Sequence, residues 1–420
     1  MAKCTALVEE GVESVVDRAL ARQQTQPVLD ELLRAGAARL LQAALELEVE
    51  QHLARLQGQR DTAGRRLVVR NGHHRARTVL SGAGPIPVRQ PRVHDRRPGQ
   101  RFTSAILPPY LRRTPSLEAL IPALYLKGVS TAAFPEALAA ILGPGVGGLS
   151  AANIVRLKQV WEEEFAVWSR RRLDGKRYVY WWADAVYFQV RLTADRPCVL
   201  VLVGATEDGR KELLAVHDGE RESELSWRGV LEDLKARGLS AGPALATGDR
   251  ALGFWKALAQ VYPAVRAQQC WVHKTANLLD KLPKKVQPDA KRLIHGMYMA
   301  PTRKDADRAY GRFLGLYEAR YPRVGACLRK DHDVLFTFFD FPAAHWVHLR
   351  TTNPIESAFA TVRHRTRQTH GCGSRTATLT MVYKLATAAE KAWRRLNQQP
   401  LLLQVLRGDR FEDGELKEAA

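Results

Sequence analysis

The sequence predicts an α/β chain: a mixed-sheet core interrupted by an all-helical segment and preceded by helical and basic N-terminal regions. Three observations predict it. Residues 173–276 alternate strand-like and helix-like stretches, and residues 277–347 carry helical periodicity only. Residues 60–113 hold thirteen arginines and two aspartates, with no lysine or glutamate. A chain of 420 residues has room for about two to four domains at roughly 100–200 residues each. Hydrophobic residues make up 45% and charged residues 26%, which allows a sizeable core and excludes wholesale disorder.

The first region, 1–113, reads as helical and Arg-rich, suited to DNA binding and dimerisation. Leu29, Leu32, Leu33, Leu40, Leu41 and Leu45 recur at helical spacing, on a helix that serves either a core or a dimer contact. Asn71-Gly72 is a hairpin-turn signal between Leu67-Val68-Val69 and Thr78-Val79-Leu80. Pro85, Pro87, Pro91 and Pro98 predict an extended linker after it. Arginines on an extended segment, here Arg70, Arg75 and Arg77, suit phosphate contacts; a solvated basic loop is the alternative. The second region, 114–172, reads as three helices ending at Gly128, at Gly143 and near Trp168. The third is capped by Ser150 and bears Asn153, Arg156 and Lys158, a pattern shared by a helix-turn-helix and a plain three-helix bundle.

In 173–276 the strands fall at 178–191, 198–204, 212–216, 244–247 and 265–268, with helices at 222–237 and 251–261. The Glu207-Asp208-Gly209 turn makes a hairpin of the second and third strands, so the first three form an antiparallel meander and the sheet is mixed. Residues 277–347 form a helical insertion, and 348–397 return to the core with a helix ending near Asn397. The tail, 398–420, is short and locally acidic, with no assigned role.

Sixty-four Lys and Arg against 44 Asp and Glu give a net charge of +20, so the natural partner is a polyanion, nucleic acid first. The longest apolar run, 198–205, is far short of the roughly 20 residues a membrane span needs. No apolar signal core opens the chain, so no membrane association or export is expected. Five scattered cysteines make no disulfide framework, which fits a reducing cytoplasm.

Carboxylates carry the candidate chemistry. Asp184 sits mid-strand in Trp181-Trp182-Ala183-Asp184, where a charge is costly unless paired or metal-bound. Asp249 ends the fourth strand, at the edge where such sheets bind ligands. If strands one and four are neighbours the two aspartates repel, and a divalent cation such as Mg²⁺ relieves the conflict. Glu356 is the third candidate. Asn353 before Pro354 also makes Glu356 the last member of a capping box, and the helix aligns Glu356 with Arg363 and Arg367. Cys270 and His273 have ligand character but no second pair nearby, so a structural role is favoured over zinc.

Four stretches taken together resemble the mutator family of bacterial insertion-sequence transposases. They are Trp182-Ala183-Asp184; Gly248-Asp249 running into residues 251–258; Cys270-Trp271-Val272-His273-Lys274; and His348-Leu349-Arg350-Thr351-Thr352-Asn353-Pro354-Ile355-Glu356, continuing through Phe359 to Arg363. Arg70-Asn71-Gly72-His73 and residues 88–97 resemble the family's N-terminal region, so the resemblance spans residues 25–397. It implies a ribonuclease-H-like core with an Asp-Asp-Glu triad at Asp184, Asp249 and Glu356, spaced by 65 and 107 residues. Cys270 and His273 would be the family's signature pair. Ala185 and Arg250 depart from the pattern, standing where glycine commonly follows each catalytic aspartate; Gln269 stands where arginine often precedes the cysteine.

The implied activity joins element ends to DNA, often through a circular intermediate. Two Mg²⁺ (or Mn²⁺) ions about 4 Å apart would serve phosphoryl transfer. Arg363, Arg365 and Arg367 would contact phosphates near the cut, and the N-terminal regions would bind terminal inverted repeats. The partners expected are double-stranded DNA, as element ends and target, and a second copy of the chain in a homodimer. The expected location is the bacterial cytoplasm, at the nucleoid. Two alternatives remain: a non-transposing nuclease of the same fold, and a DNA-binding regulator with a decayed core.

Overall fold

A computed structural model of the chain describes residues 27–117, 120, 124, 129, 136–137, 151–188, 198–219, 222–249, 253–353, 355–356, 359, 363 and 374–417. Most of the first two helices expected at 114–172, together with Arg250, Arg365 and Arg367, lie outside the described residues. The chain divides into two compact units, Met1–Tyr125 with Val129–Ile154, and Leu126–Gly128 with Val155–Ala420.

In the first unit, α1 (Pro27–Arg55) is rich in Ala and Leu and has no proline beyond its first residue. One face brings Leu45, with Ala37, Ala38 and Leu41, against Val79, Ile86, Val88 and Leu107. Another leaves Leu29, Leu33, Leu40 and Leu47 more than half exposed. Four strands follow: β1 (Val68–His73), β2 (Arg77–Ser81), β3 (Gly84–Val88) and β4 (Pro91–Asp95). The expected hairpin at Asn71-Gly72 and the linker after it are both corrected. β1 pairs with β4, and β2 pairs with β3. Asn71 and Gly72 instead form a register irregularity inside β1, where Gly72 has φ +63°. The tight turn lies at Gly82-Ala83, because the Ser81 hydroxyl donates to the Gly84 carbonyl at 2.9 Å and accepts from the Ala83 N–H at 3.2 Å. Pro85 and Pro87 fit β3 because it pairs on one side only.

Helix α2 (Ala151–Ser169) precedes the second unit's five-stranded sheet. Its strands are β5 (Tyr178–Tyr187), β6 (Cys198–Thr206), β7 (Lys211–Gly219), β8 (Leu245–Gly248) and β9 (Arg266–Gln269), in the order β7-β6-β5-β8-β9. β5, β6 and β7 form the expected antiparallel meander, while β8 runs parallel to β5 and β9 to β8. Both faces are covered, which explains the nearly continuous apolar runs of β5 and β6. Trp181 and Ala183 face one layer, built by α3 (Glu224–Ala236) and α4 (Phe254–Val261). Tyr180 and Trp182 face the other, which extends into the helical stretch.

That stretch holds α5 (Trp271–Leu279), α6 (Gln287–Tyr298), α7 (Arg303–Tyr317) and α8 (Pro322–Arg329). Two single turns follow, α9 (His332–Leu335) and α10 (Trp346–Leu349). The Lys274 ammonium, 1% exposed, is neutralised by Asp331 at 2.7 Å. Helix α11 (Arg375–Glu390) stops short of the expected Asn397. The tail is structured: α12 (Gln399–Arg407) leads into the pair β10 (Phe411–Glu412) and β11 (Glu415–Leu416). Asp413 between them accepts from the Arg303 N–H at 2.6 Å, at the start of α7. No helix among the described residues is long and apolar enough to cross a membrane.

Candidate active site

The register of the central strands brings the two aspartates together. Trp182 on β5 lies opposite Thr247 on β8, in parallel. Two residues further along each strand stand Asp184 and Asp249, which therefore leave the same sheet edge side by side. Asp184 is 7% exposed and accepts from the Ala185 N–H at 2.8 Å. The Gln269 amide, at the end of β9, donates to Asp249 Oδ1 at 3.4 Å. The Trp255 indole N–H binds the Asp249 carbonyl at 2.9 Å.

The third carboxylate is brought in by a segment tied across that edge. Trp182 Nε1 donates to the His348 carbonyl at 2.8 Å, and Thr247 Oγ1 to the Leu349 carbonyl at 2.9 Å. The Trp271 N–H donates to the Arg350 carbonyl at 2.9 Å. The helical turn that follows starts one residue earlier than expected. Thr352, not Asn353, is the cap: its carbonyl accepts from the Glu356 N–H at 3.1 Å. Its hydroxyl donates to Glu356 Oε1, also at 3.1 Å, which aims the carboxylate.

Cys270 and His273 join the same site. The Cys270 N–H donates to the Gly248 carbonyl at 2.8 Å, just before Asp249. Its sulfur lies 3.4 Å from Thr352 Oγ1 and accepts from the Thr352 N–H. Ligand atoms of Cys270, His273 and Glu356 all lie within 4.8 Å of one another. The pair thus lies beside Glu356 at the carboxylate edge.

Electrostatics mark this as a site of crowded negative charge. Burial pushes the Asp184 carboxyl up to about 6; the charges of Glu356 and Asp249 push the same way, against His273 and the Ala185 N–H. The Cys270 side chain, hydrogen-bonded to His273, drives that imidazole up to about 9, with Asp184 and Asp249 adding to the effect. A fourth acid feels the same charges: the Glu222 carboxyl is raised to about 7, by burial first and then by Asp184 and Asp249. Sequence reasoning misses Glu222; the available signal is an acid directly before the Ser223 cap of α3, at the carboxyl edge of a strand.

Asp184, Asp249 and Glu356 offer the carboxylate oxygens that a hard divalent cation such as Mg²⁺ or Mn²⁺ takes as ligands. Among the described residues, the ligand atoms that meet within 4.8 Å of one another are those of Cys270, His273 and Glu356. The predicted DNA contacts are less concentrated. Arg363 is exposed, Arg156 is exposed and Lys158 half-buried. In the first unit Arg75 is exposed, Arg77 donates to the Pro108 carbonyl at 3.2 Å, and Arg70 pairs with Glu46 at 2.6 Å.

Comparison with known proteins gives one family. The family described as "Transposase, Mutator family" matches residues 10–396. The transposase for insertion sequence element IS6120 of Mycolicibacterium smegmatis is 47% identical over 302 residues, covering 72% of this chain and 93% of that protein. The transposase for element IST2 of Acidithiobacillus ferrooxidans is 46% identical over 287 residues, covering 66% and 94%. Among solved structures, the HTLV-2 integrase catalytic core domain in complex with magnesium matches 33% of this chain and 86% of that chain. Its identity is 16% and its TM-score 0.17, too low a likeness to decide the fold.

Proposed function

The chain belongs to the mutator family of transposases, and we propose that it binds the terminal inverted repeats of an insertion sequence and catalyses metal-dependent strand cleavage and strand transfer. The observation that carries this reading is the β5–β8 register, which sets Asp184 beside Asp249, with Glu356 close enough to act on Asp184 electrostatically. On this reading the sheet is a ribonuclease-H-like core, residues 277–347 are an insertion in it, and residues 1–113 and 114–172 serve DNA.

Asp184, Asp249 and Glu356 would hold two Mg²⁺ or Mn²⁺ ions. Such ions supply Lewis acidity to a phosphate oxygen and lower the pKa of an attacking water or 3′-hydroxyl. The chain's own residues hold the carboxylates in place. The Ala185 N–H fixes one oxygen of Asp184, Gln269 one of Asp249, and the Thr352 hydroxyl one of Glu356. With those oxygens fixed, little reorganisation is left for the moment of reaction. Arg363, Arg365 and Arg367 would bind phosphates on the strand being cut; Arg70, Arg75, Arg77, Arg156 and Lys158 would bind the element ends.

The test is incubation of the protein with a labelled element-end duplex and a target plasmid, in Mg²⁺ and in EDTA. Nicked and joined products should appear with Mg²⁺ and vanish with EDTA. Asp249→Ala should lower both by about 10³-fold or more while leaving end binding intact. Cleavage without joining makes the protein a nuclease. Binding with neither, in the wild type, makes it a regulator.

Two ends must meet for joining, which calls for a homodimer acting on DNA in the bacterial cytoplasm, at the nucleoid. Leu33, Leu40 and Leu47, all more than half exposed, recur every seven residues along α1 and support that helix as the contact. Leu40→Arg places a charge in both copies. It should weaken dimerisation by about 10–100-fold in sedimentation equilibrium, given roughly 1.5–3 kcal/mol for a buried leucine. An unchanged dimer removes α1 from the interface.

A further inference from the structure

The Cys-x-x-His spacing takes its meaning from where α5 begins. Cys270 is the N-cap of α5, and its side chain makes no capping bond to that helix. His273 stands three residues on, at the position whose side chain turns back towards the cap. The sulfur and the imidazole therefore share one end of the helix. The sequence places no further cysteine or histidine close by. The third ligand comes from Glu356, 356 − 273 = 83 residues after His273.

Backbone contacts bring that third ligand in. The Cys270 N–H is held by the Gly248 carbonyl at 2.8 Å, and the Trp271 N–H by the Arg350 carbonyl at 2.9 Å. The Thr352 N–H donates to the Cys270 sulfur at 3.4 Å, and the Thr352 hydroxyl to Glu356 Oε1 at 3.1 Å. An N–H on the sulfur and an O–H on the carboxylate are the outer partners that steady metal ligands. One sulfur, one ring nitrogen and one carboxylate oxygen thus lie within 4.8 Å of one another, with Cys270 fully buried. His273 gives a second, independent sign. Its Nδ1 is buried and has no hydrogen-bond partner among the described residues. A buried ring nitrogen in that state is costly until a ligand takes it up.

We infer that Cys270, His273 and Glu356 form a binding site for a borderline divalent cation of the Zn²⁺ type, separate from the aspartates on β5 and β8. Thiolate and imidazole select such ions over Mg²⁺, which prefers oxygen throughout. Bonds of about 2.3 Å to sulfur and about 2.0–2.1 Å to nitrogen or oxygen put the ligand atoms of a tetrahedral zinc site about 3.5 Å apart. Closing the three atoms from within 4.8 Å therefore takes movements of about an ångström. Three protein ligands leave the fourth position to water. The ion takes the place of the proton that Cys270 favours on His273. Bound there, it anchors Glu356 to the start of α5. A carboxylate has two oxygens and can bridge two ions, so Glu356 is not lost to the carboxylate site. The inference needs neither Asp184 nor Asp249 as a ligand, and it stands whichever way the proposed triad is decided.

The test uses the full chain without DNA, stripped of metal by a chelator and titrated with Co²⁺ alone. Co²⁺ occupies Zn²⁺ sites and reports a thiolate ligand by a charge-transfer band in the near ultraviolet. The wild type should show that band, saturating at one ion per chain. Excess Mg²⁺ should leave it in place, and Zn²⁺ should remove it. Cys270→Ser should abolish the band. His273→Ala and Glu356→Gln should weaken Co²⁺ binding by at least the roughly 10–100-fold that loss of an outer partner costs. Asp249→Ala should bind Co²⁺ as the wild type does. A wild type without the band overturns the inference. A band that survives Cys270→Ser belongs to another cysteine and overturns it too. Should Cys270→Ser not fold, His273→Ala decides: undiminished affinity there means adventitious binding to a thiol only. Undiminished affinity in Glu356→Gln removes the third ligand and overturns the site as well. Loss of the band in Asp249→Ala moves the ion to the aspartates and overturns the separate site.

Discussion

The arginine-rich strands of the first unit and the carboxylate edge of the second are both dense in one sign of charge, but they are built differently. Three of the thirteen arginines in residues 60–113 form ion pairs with nearby acids. Arg97 binds Asp95 at 2.6 Å, Arg65 binds Asp61 at 3.0 Å, and Arg70 binds Glu46 at 2.6 Å. Most of these pairs are open to solvent, where charge costs little. At the sheet edge, Asp184 and Glu222 are instead raised by burial and by each other's neighbours. Exposed charge of this kind offers long-range attraction and graded, replaceable contacts. Crowded buried charge creates a specific demand for a cation. Folding tolerates the first without strain; it tolerates the second at a free-energy cost that function must justify.

The sharpest way to break this contrast is Asp184→Asn. It should abolish cleavage, by about 10³-fold or more, yet stabilise the metal-free protein. The folded-state carboxyl lies at about 6, against an ordinary aspartate value of 3.8. Between those limits the folded state binds more protons than the unfolded one, so the Asp184 contribution to stability falls as pH rises from about 4 to 6. Asparagine removes that fall. The gain above pH 6 is at most about 3 kcal/mol, from 1.36 kcal/mol per pKa unit. Denaturant melts of the two metal-free proteins across that range check the sign. A variant less stable than wild type at neutral pH would mean that Asp184 is held by favourable contacts and that its crowding is illusory.

A smaller effect is expected of Thr352→Val. Thr352 is fully buried, and its hydroxyl links Cys270 to Glu356. Losing one such bond should cost about 1 kcal/mol of stability. If the bond aims Glu356, activity should drop by about tenfold with DNA affinity unchanged. A loss of stability without loss of rate would reduce Thr352 to a helix cap.

The same contrast explains what is legible in the sequence. Asp184 and Asp249 stand out because β5 and β8 are otherwise apolar, so a charge at their ends breaks a strong pattern. The antiparallel meander of β5, β6 and β7 follows from the Glu207-Asp208-Gly209 turn, whereas nothing local in the sequence puts β8 beside β5. Glu222 breaks no pattern, being one acid in a polar loop; its raised carboxyl comes from burial and from two aspartates distant in the sequence. The Asn71-Gly72 signal misleads because it lies in a strand that pairs with the distant β4, while the working turn is made by the Ser81 hydroxyl. Asn353-Pro354 likewise reads as a helix start, but Thr352 holds Cys270 on one side and Glu356 on the other, which moves the cap one residue back.

The smallest effect is expected where charge is exposed and already neutralised. The Arg70 guanidinium is bound to Glu46 and lies 3.2 Å from His73 Nε2. To contact a phosphate it must share or give up Glu46, so its net contribution is one screened ion pair exchanged for another. Arg70→Ala should weaken binding of element-end DNA by only a few-fold, and reduce the slope of log affinity against log salt by about one. The loss should be equal for element-end and unrelated duplexes, since a phosphate contact carries no sequence information. Titrations of both duplexes over a range of salt concentrations test this. A loss confined to the element end would mean that Arg70 reads a base edge, with Glu46 orienting the guanidinium for that contact. The first unit would then be built like the second, around a specific demand for one partner.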